Sequence, residues 1–278
     1  MTTLLAVPNV SEGRDPAVLD AIGAAFTSTG ARLLDVHADP DHHRAVFTLA
    51  GEPGSLAEAL EAGAREAIAR IDLNTHDGHH PRVGALDVAP VVFLHADDRG
   101  AAIAEALVAA DLLGALGLPV HLYGELGGGR TRAELRRGGL AALAEIAPHA
   151  GPQQPHPTAG AVLVTARPPL IAFNVELAPP ATLGDARRIA ARIREGGPDG
   201  LPGVRALGLA LGRQDLVQVT TNVEDHTRTT PAQVVAAVQA HARVQGAELV
   251  ALAPRAAFDD FPQTVPLRGL RTIEDALA

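Results

Sequence analysis

Cysteine, lysine and tryptophan are absent from this 278-residue chain. Without cysteine there is no thiolate nucleophile, no disulfide and no cysteine metal site. All 23 Lys+Arg residues are arginine, so a Schiff-base lysine, chain-bound pyridoxal phosphate and the lysine of a P-loop are excluded. Serine occurs only at Ser11, Ser28 and Ser55, none of them in a Gly-x-Ser-x-Gly elbow, which argues against a serine hydrolase. Aromatic residues make up 3% of the chain and the net charge is -9. Both facts speak against nucleic acid as a partner, which needs stacking platforms and surplus cations. The N-terminus lacks a basic n-region and meets Pro8 early, and no apolar run approaches membrane-spanning length without Gly, Pro or charge. A soluble cytoplasmic chain with no membrane partner is therefore expected. Histidine, carboxylates, arginine and backbone amides remain for chemistry, a set suited to general acid–base transfer.

What is present is concentrated. His76-Asp77-Gly78-His79-His80-Pro81-Arg82-Val83-Gly84-Ala85-Leu86-Asp87 places three imidazoles, a guanidinium and carboxylates on a Gly/Pro-punctuated loop ahead of an aliphatic strand. The histidines could ligate a metal, decorate a solvated loop or move protons. No His-Glu-x-x-His helix spacing is present, so no metal is expected, and an imidazole that titrates near neutral pH favours proton transfer. Asp39-Pro40-Asp41-His42-His43-Arg44 reads either as a plain polar turn or as a carboxylate that orients an imidazole, with Arg44 or Arg82 gripping a substrate carboxylate. Gly127 to Gly129 reads as a flexible loop.

Hydrophobic residues make up 47% of the chain, ample for a sizeable core. Apolar periodicity predicts alternating strands and helices to about residue 125: strands near Leu4–Val7, 32–36, 45–49, 86–94 and 119–123, and helices near 16–26, 55–71 and 101–116. A helix is predicted over 132–146, followed by the Pro-rich stretch 151–160. A domain boundary is placed near Ala166, giving 1–166 and 167–278. The second half repeats the alternation, with helices over 183–195 and 231–245 between strands at 170–175, 204–211, 216–222 and 248–252, a hairpin turn at Arg213-Gln214-Asp215 and a short helix from Thr272. The expected class is α/β (α+β), with two plait-like subdomains.

Five segments in order, Val7-Pro8-Asn9-Val10-Ser11-Glu12-Gly13, Leu34-Asp35-Val36, His80 to Val88, Leu122-Tyr123-Gly124-Glu125 and Leu170 to Asn174, make the chain resemble the glutamate formimidoyltransferases, the formiminotransferase domain of histidine degradation. The resemblance implies sheets that face each other with helices outside, a ligand cleft between the subdomains, and a homodimer. It implies tetrahydrofolate as co-substrate, N-formimidoyl-L-glutamate as donor and no metal. His80 matches the family's catalytic histidine. The folate-binding segment falls on Gly151, Pro152, Gln153, Gln154, Pro155, His156, Pro157, Thr158, Ala159 and Gly160. Arg44 and Arg82 are the expected substrate-binding residues. The chain departs from the family pattern at His37, where an aspartate supports the histidine, so that part passes to Asp35, Asp39 or Asp41 or is lost, and Asp39 is assigned it. It departs also at His43, for asparagine, and at Ala159, for tryptophan. The alternatives are a non-catalytic folate-binding paralogue and a related transferase using N-formylglutamate.

Overall fold

The computed structural model describes residues 2–77, 81–211 and 216–278. The chain divides into two units, 1–168 and 169–278, each with its own mixed sheet and helices.

In the first unit, strands β1 (Leu4–Ala6) and β2 (Asn9–Val10) are interrupted at Val7-Pro8 and together fill one position in the sheet. On one side they pair antiparallel with β4 (Arg44–Gly51), and on the other with β5 (Leu86–Phe93). Strand β3 (Arg32–Asp39) adds to the outer side of β4. Strand β7 (Val162–Arg167) joins β5 in parallel, and β6 (Val120–Leu122) joins β7 in parallel.

Helices α1 (Pro16–Thr27), α2 (Leu56–Arg70) and α3 (Arg99–Ala115) share one core with alternate strand residues such as Phe47, Leu49, Val91, Val162 and Val164. This is the period-2 alternation of strand side chains between the two faces of a sheet. The remaining strand residues, Val88 and Leu163, pack with Tyr123, Leu135 and Leu143 in a smaller cluster under α4 (Arg132–Arg136) and α5 (Gly139–Leu143). One helix over 132–146 was expected. The structure has two, because Gly138 and Gly139 take φ of 82° and 69°, outside the helical region.

The second unit runs β8 (Ile171–Leu177), α6 (Leu183–Ile193), β9 (Val204–Leu211), β10 (Leu216–Val223), α7 (Pro231–Gln239) and β11 (Val244–Val250). Strand β12 (Leu267–Arg268) and helix α8 (Ile273–Leu277) follow. The sheet order β12-β11-β8-β10-β9 makes the βαββαβ part a split-βαβ plait. The helix expected over 231–245 stops at Gln239, because Val244 and Gln245 are drawn into β11, where Val244 pairs with Leu177. The turn expected at Arg213-Gln214-Asp215 lies outside the described residues.

Candidate active site

Register brings the chemistry-bearing segments of the first unit to one end of its sheet. Val10 pairs with Ala45 and with Leu86, and Val88 pairs with Leu163. The loop after β2, the β3–β4 turn, the residues leading into β5 and those leading into β7 therefore meet. His79 and His80 lie outside the described residues, but both flanks of that stretch are fixed. On the N-terminal side, Arg14 donates through Nη1 to Asp77 Oδ1 at 2.6 Å and through Nε to the Pro40 carbonyl at 2.9 Å. On the C-terminal side, Arg82 Nη2 donates to the His76 carbonyl at 3.2 Å, and the Val83 N–H donates to Asp87 Oδ1 at 2.6 Å.

The β3–β4 turn carries a dyad. Asp39 Oδ1 accepts the N–H groups of Asp41 and His42 at 3.0 and 2.9 Å, while Oδ2 contacts Nδ1 of the buried His42. Burial would push the Asp39 carboxyl up. The ring and backbone hydrogen bonds of His42, with the positive charges of His42 and Arg44, outweigh it and hold the group at about 2. The assigned supporting carboxylate is thus engaged with His42.

His43 follows at φ 51°, in the left-handed region that His and Asn enter more readily than most residues. Its Nδ1 accepts the Gly13 N–H at 3.2 Å, so the neutral ring carries its proton on Nε2. His76 stacks on it with ring centroids 4.2 Å apart and donates from Nε2 to the His43 carbonyl at 3.1 Å. Burial lowers both imidazoles below their ordinary value. Glu12 opposes this at His43, and the charge of Arg82 adds to it at His76. Glu12 Oε1 also accepts three backbone N–H groups, from Gly13, Arg14 and Asp15.

Arg44 enters β4 opposite Asp39. Burial draws its guanidinium down to about 10. Asp39 and Asp87 oppose that pull, and the charges of Arg136 and Arg132 add to it. Arg136 pairs with Asp87, and both are largely buried.

Residues 151–160 form no regular element, but they are pinned to the His76–Asp87 segment by main-chain atoms. Leu73 N–H donates to the Thr158 carbonyl at 2.8 Å, Ala85 N–H to the Ala159 carbonyl at 2.9 Å, and Ala161 N–H to the Val83 carbonyl at 2.8 Å. The loop closes on itself between His156 and Gly160, with His156 Nδ1 accepting the Ala159 N–H at 3.1 Å. Gly151, Pro152, Gln153, Gln154 and Pro157 are exposed, Pro155, His156 and Thr158 are partly buried, and Ala159 and Gly160 are buried. Glycine is required at the seam. A Cβ on Gly84 would lie 1.9 Å from the Ala161 carbonyl oxygen, and one on Gly160, at φ 71°, would lie 2.2 Å from the Val83 carbonyl oxygen.

Profiles of the formiminotransferase domain match almost the whole chain: its N-terminal subdomain over residues 3–167 and the formiminotransferase domain over residues 172–263. The chain belongs to the formiminotransferase family. It is 37% identical over 279 residues to formimidoyltransferase-cyclodeaminase of Rattus norvegicus, covering 91% of this chain and 50% of the rat protein. It is 34% identical over 270 residues to glutamate formimidoyltransferase of Streptococcus pyogenes serotype M1, covering 91% of this chain and 90% of that protein. The enzyme of the same name from Thermoplasma acidophilum is 32% identical, over 94% of this chain and 91% of that protein. The chain thus spans half the length of the rat relative.

Among the described residues, no group of three or more His, Cys, Asp or Glu is placed to hold a metal ion, and no helix is long and apolar enough to cross a membrane. A groove of about 740 Å³ between α2 and α3, lined by residues such as Glu61, Arg65, Ala104 and Val108, shares no residue with the segments described above. Sequence reasoning singled out Asp39, Arg44 and Arg82 but passed over Glu12, Arg14 and Arg136. The available signal was Glu12-Gly13-Arg14, charged residues on either side of a glycine directly after a strand.

Proposed function

We propose that the chain is a glutamate formimidoyltransferase, moving the formimidoyl group from N-formimidoyl-L-glutamate to N5 of tetrahydrofolate. The observation that carries this reading is the convergence, in a member of this family, of the Glu12–Asp15 loop, the Asp39–Arg44 turn, the anchored flanks of His80 and the 151–160 loop at one end of one sheet.

N5 attacks the formimidoyl carbon and loses its proton to His80. The tetrahedral intermediate then expels glutamate as its nitrogen takes a proton from the same imidazole. Arg82, tied to the His76 carbonyl, and Arg44 hold substrate carboxylates. The exposed residues of Gly151 to Gly160 face tetrahydrofolate, which acts as co-substrate. Asp39 acts as a positioning residue: by binding His42 and two backbone N–H groups it fixes the turn whose Pro40 and His43 carbonyls hold Arg14 and His76. No step requires a lysine, a thiol or a metal. The chain is proposed to work as a cytoplasmic homodimer, and sedimentation equilibrium reads the oligomeric state.

Incubation with both substrates and detection of 5-formimidoyl-tetrahydrofolate tests the reaction. His80→Ala is expected to reduce the rate by about 10²- to 10⁴-fold, the usual worth of acid–base help. No product from the wild-type protein would sink the reading. Folate binding without turnover would favour a binding paralogue, and transfer from N-formylglutamate alone would favour the related transferase.

A further inference from the structure

On the sheet face opposite α1–α3, Arg44, Arg132 and Arg136 lie close enough for the charges of the latter two to act on the first. The carboxylates that act on Arg44 there are Asp39 and Asp87, and each also holds other partners. Asp39 holds His42 and two backbone N–H groups, and Asp87 holds Arg136 and the Val83 N–H. Among the described residues Arg132 has no carboxylate partner, and its guanidinium carbon lies 5.8 Å from the centroid of the Tyr123 ring.

Among the described residues, Arg136 Nε and the Tyr123 hydroxyl are buried without a hydrogen-bond partner, and Tyr123 is only 6% exposed. A buried donor left unsatisfied is costly, so Arg136 Nε and the Tyr123 hydroxyl, beside the guanidinium of Arg132, suit an acceptor that the described residues do not provide. A carboxylate meets both demands, having several acceptor positions and a negative charge that guanidinium groups bind in charge-assisted pairs.

We propose that Arg44, Arg132, Arg136 and the Tyr123 hydroxyl form a carboxylate-binding subsite for an acidic substrate. The subsite deepens the transferase reading and rests on it for the identity of the ligand. Two sources share this chemistry, the glutamate portion of the donor and the glutamyl tail of the folate.

Tyr123 is the sole tyrosine in a chain without tryptophan, so the intrinsic fluorescence of the protein reports on this subsite directly. Titration of the full chain with L-glutamate is expected to change that fluorescence saturably, with glutaramide, which has no carboxylate, giving no change. Calorimetric affinities for L-glutamate and for tetrahydrofolate are then compared between wild type and two variants, Arg132→Gln and Tyr123→Phe. Losing one charge-assisted hydrogen bond should weaken binding by roughly ten- to a hundredfold. Loss confined to L-glutamate assigns the subsite to the donor, and loss confined to tetrahydrofolate assigns it to the tail.

Tyr123→Phe also separates binding from folding. It deletes an unsatisfied buried hydroxyl, so the ligand-free variant should unfold at the same temperature as wild type or higher while binding the carboxylate less well. Unchanged affinity for both ligands in both variants would overturn the subsite. Because these measurements need no turnover, an inactive protein that still binds L-glutamate through Tyr123 and Arg132 would refute the reaction and leave the subsite standing.

Discussion

At the scale of single residues, Asp39 shows how a turn is locked by charge. Its carboxyl is held at about 2 against an ordinary 3.8, and its side chain is 19% exposed. The difference corresponds to roughly 2 kcal/mol favouring the folded state when the group is ionised. Because the folded value is the lower one, this contribution is complete above the unfolded value near 4 and fades as pH falls toward 2. Asp39→Asn should therefore lose about 2 kcal/mol in urea unfolding at pH 7 and roughly half of that at pH 3; an equal loss at both pH values would assign the effect to packing. The sequence made Asp39 a candidate because it stands beside two histidines, yet gave no means of pairing it with His42 rather than with a residue distant in sequence. That pairing depends on the backbone of the turn, in which Asp39 Oδ1 also accepts the Asp41 and His42 N–H groups. The arginine cluster was legible only at Arg44, because Arg132 and Arg136 reach it through the fold and not through any short motif.

Elements were legible where local rules decide them. Asp15 caps α1 ahead of Pro16, the residues that local capping rules favour there, accepting the Ala17 N–H at 2.9 Å. Helix α2 follows a different rule. Ser55 occupies its N-cap position but makes no cap hydrogen bond, its Oγ donating instead to the Glu52 carbonyl at 2.8 Å. The helix start is satisfied from α3, where the buried Glu105 accepts the Ala57 N–H at 2.6 Å and the Gly54 N–H at 2.5 Å. A carboxylate at a helix N-terminus also suits the helix dipole. Glu105→Ala should therefore destabilise the protein by about 2 kcal/mol, whereas Ser55→Ala should stay within about 0.5 kcal/mol of wild type; thermal unfolding of the pair measures both. A propensity argument would rank the two substitutions the other way. The same dependence on partners distant in sequence explains the elements that were misjudged. Strand β2 has only two residues and no periodicity to read, and it exists because β4 and β5 flank it. The helix predicted through Gln245 yields to pairing with β8.

For the whole chain, the βαββαβ order of the second unit could be read from alternation, since two-residue periodicity and helical periodicity exchange cleanly there. The first unit was harder, because its central position is built from two short strands and its sheet mixes directions. Strand position also sets expectations for hydrogen exchange. Strands flanked along their length on both sides, such as β4, β5, β8 and β10, should exchange slowest, and β3 and β9, each paired on one side among the described residues, fastest among the long strands. Mass-spectrometric exchange of the intact chain tests this, and protection of β3 equal to that of β4 would contradict it. The seam between residues 83–85 and 158–161 has a different kind of consequence. Its bonds come from peptide groups that every sequence carries, and its side-chain demand reduces to two glycines. The exposed Pro152, Gln154 and Pro157 of that loop are thus free to drift in sequence while the loop stays in place, so a lineage can change what it recognises without rebuilding the scaffold that presents it.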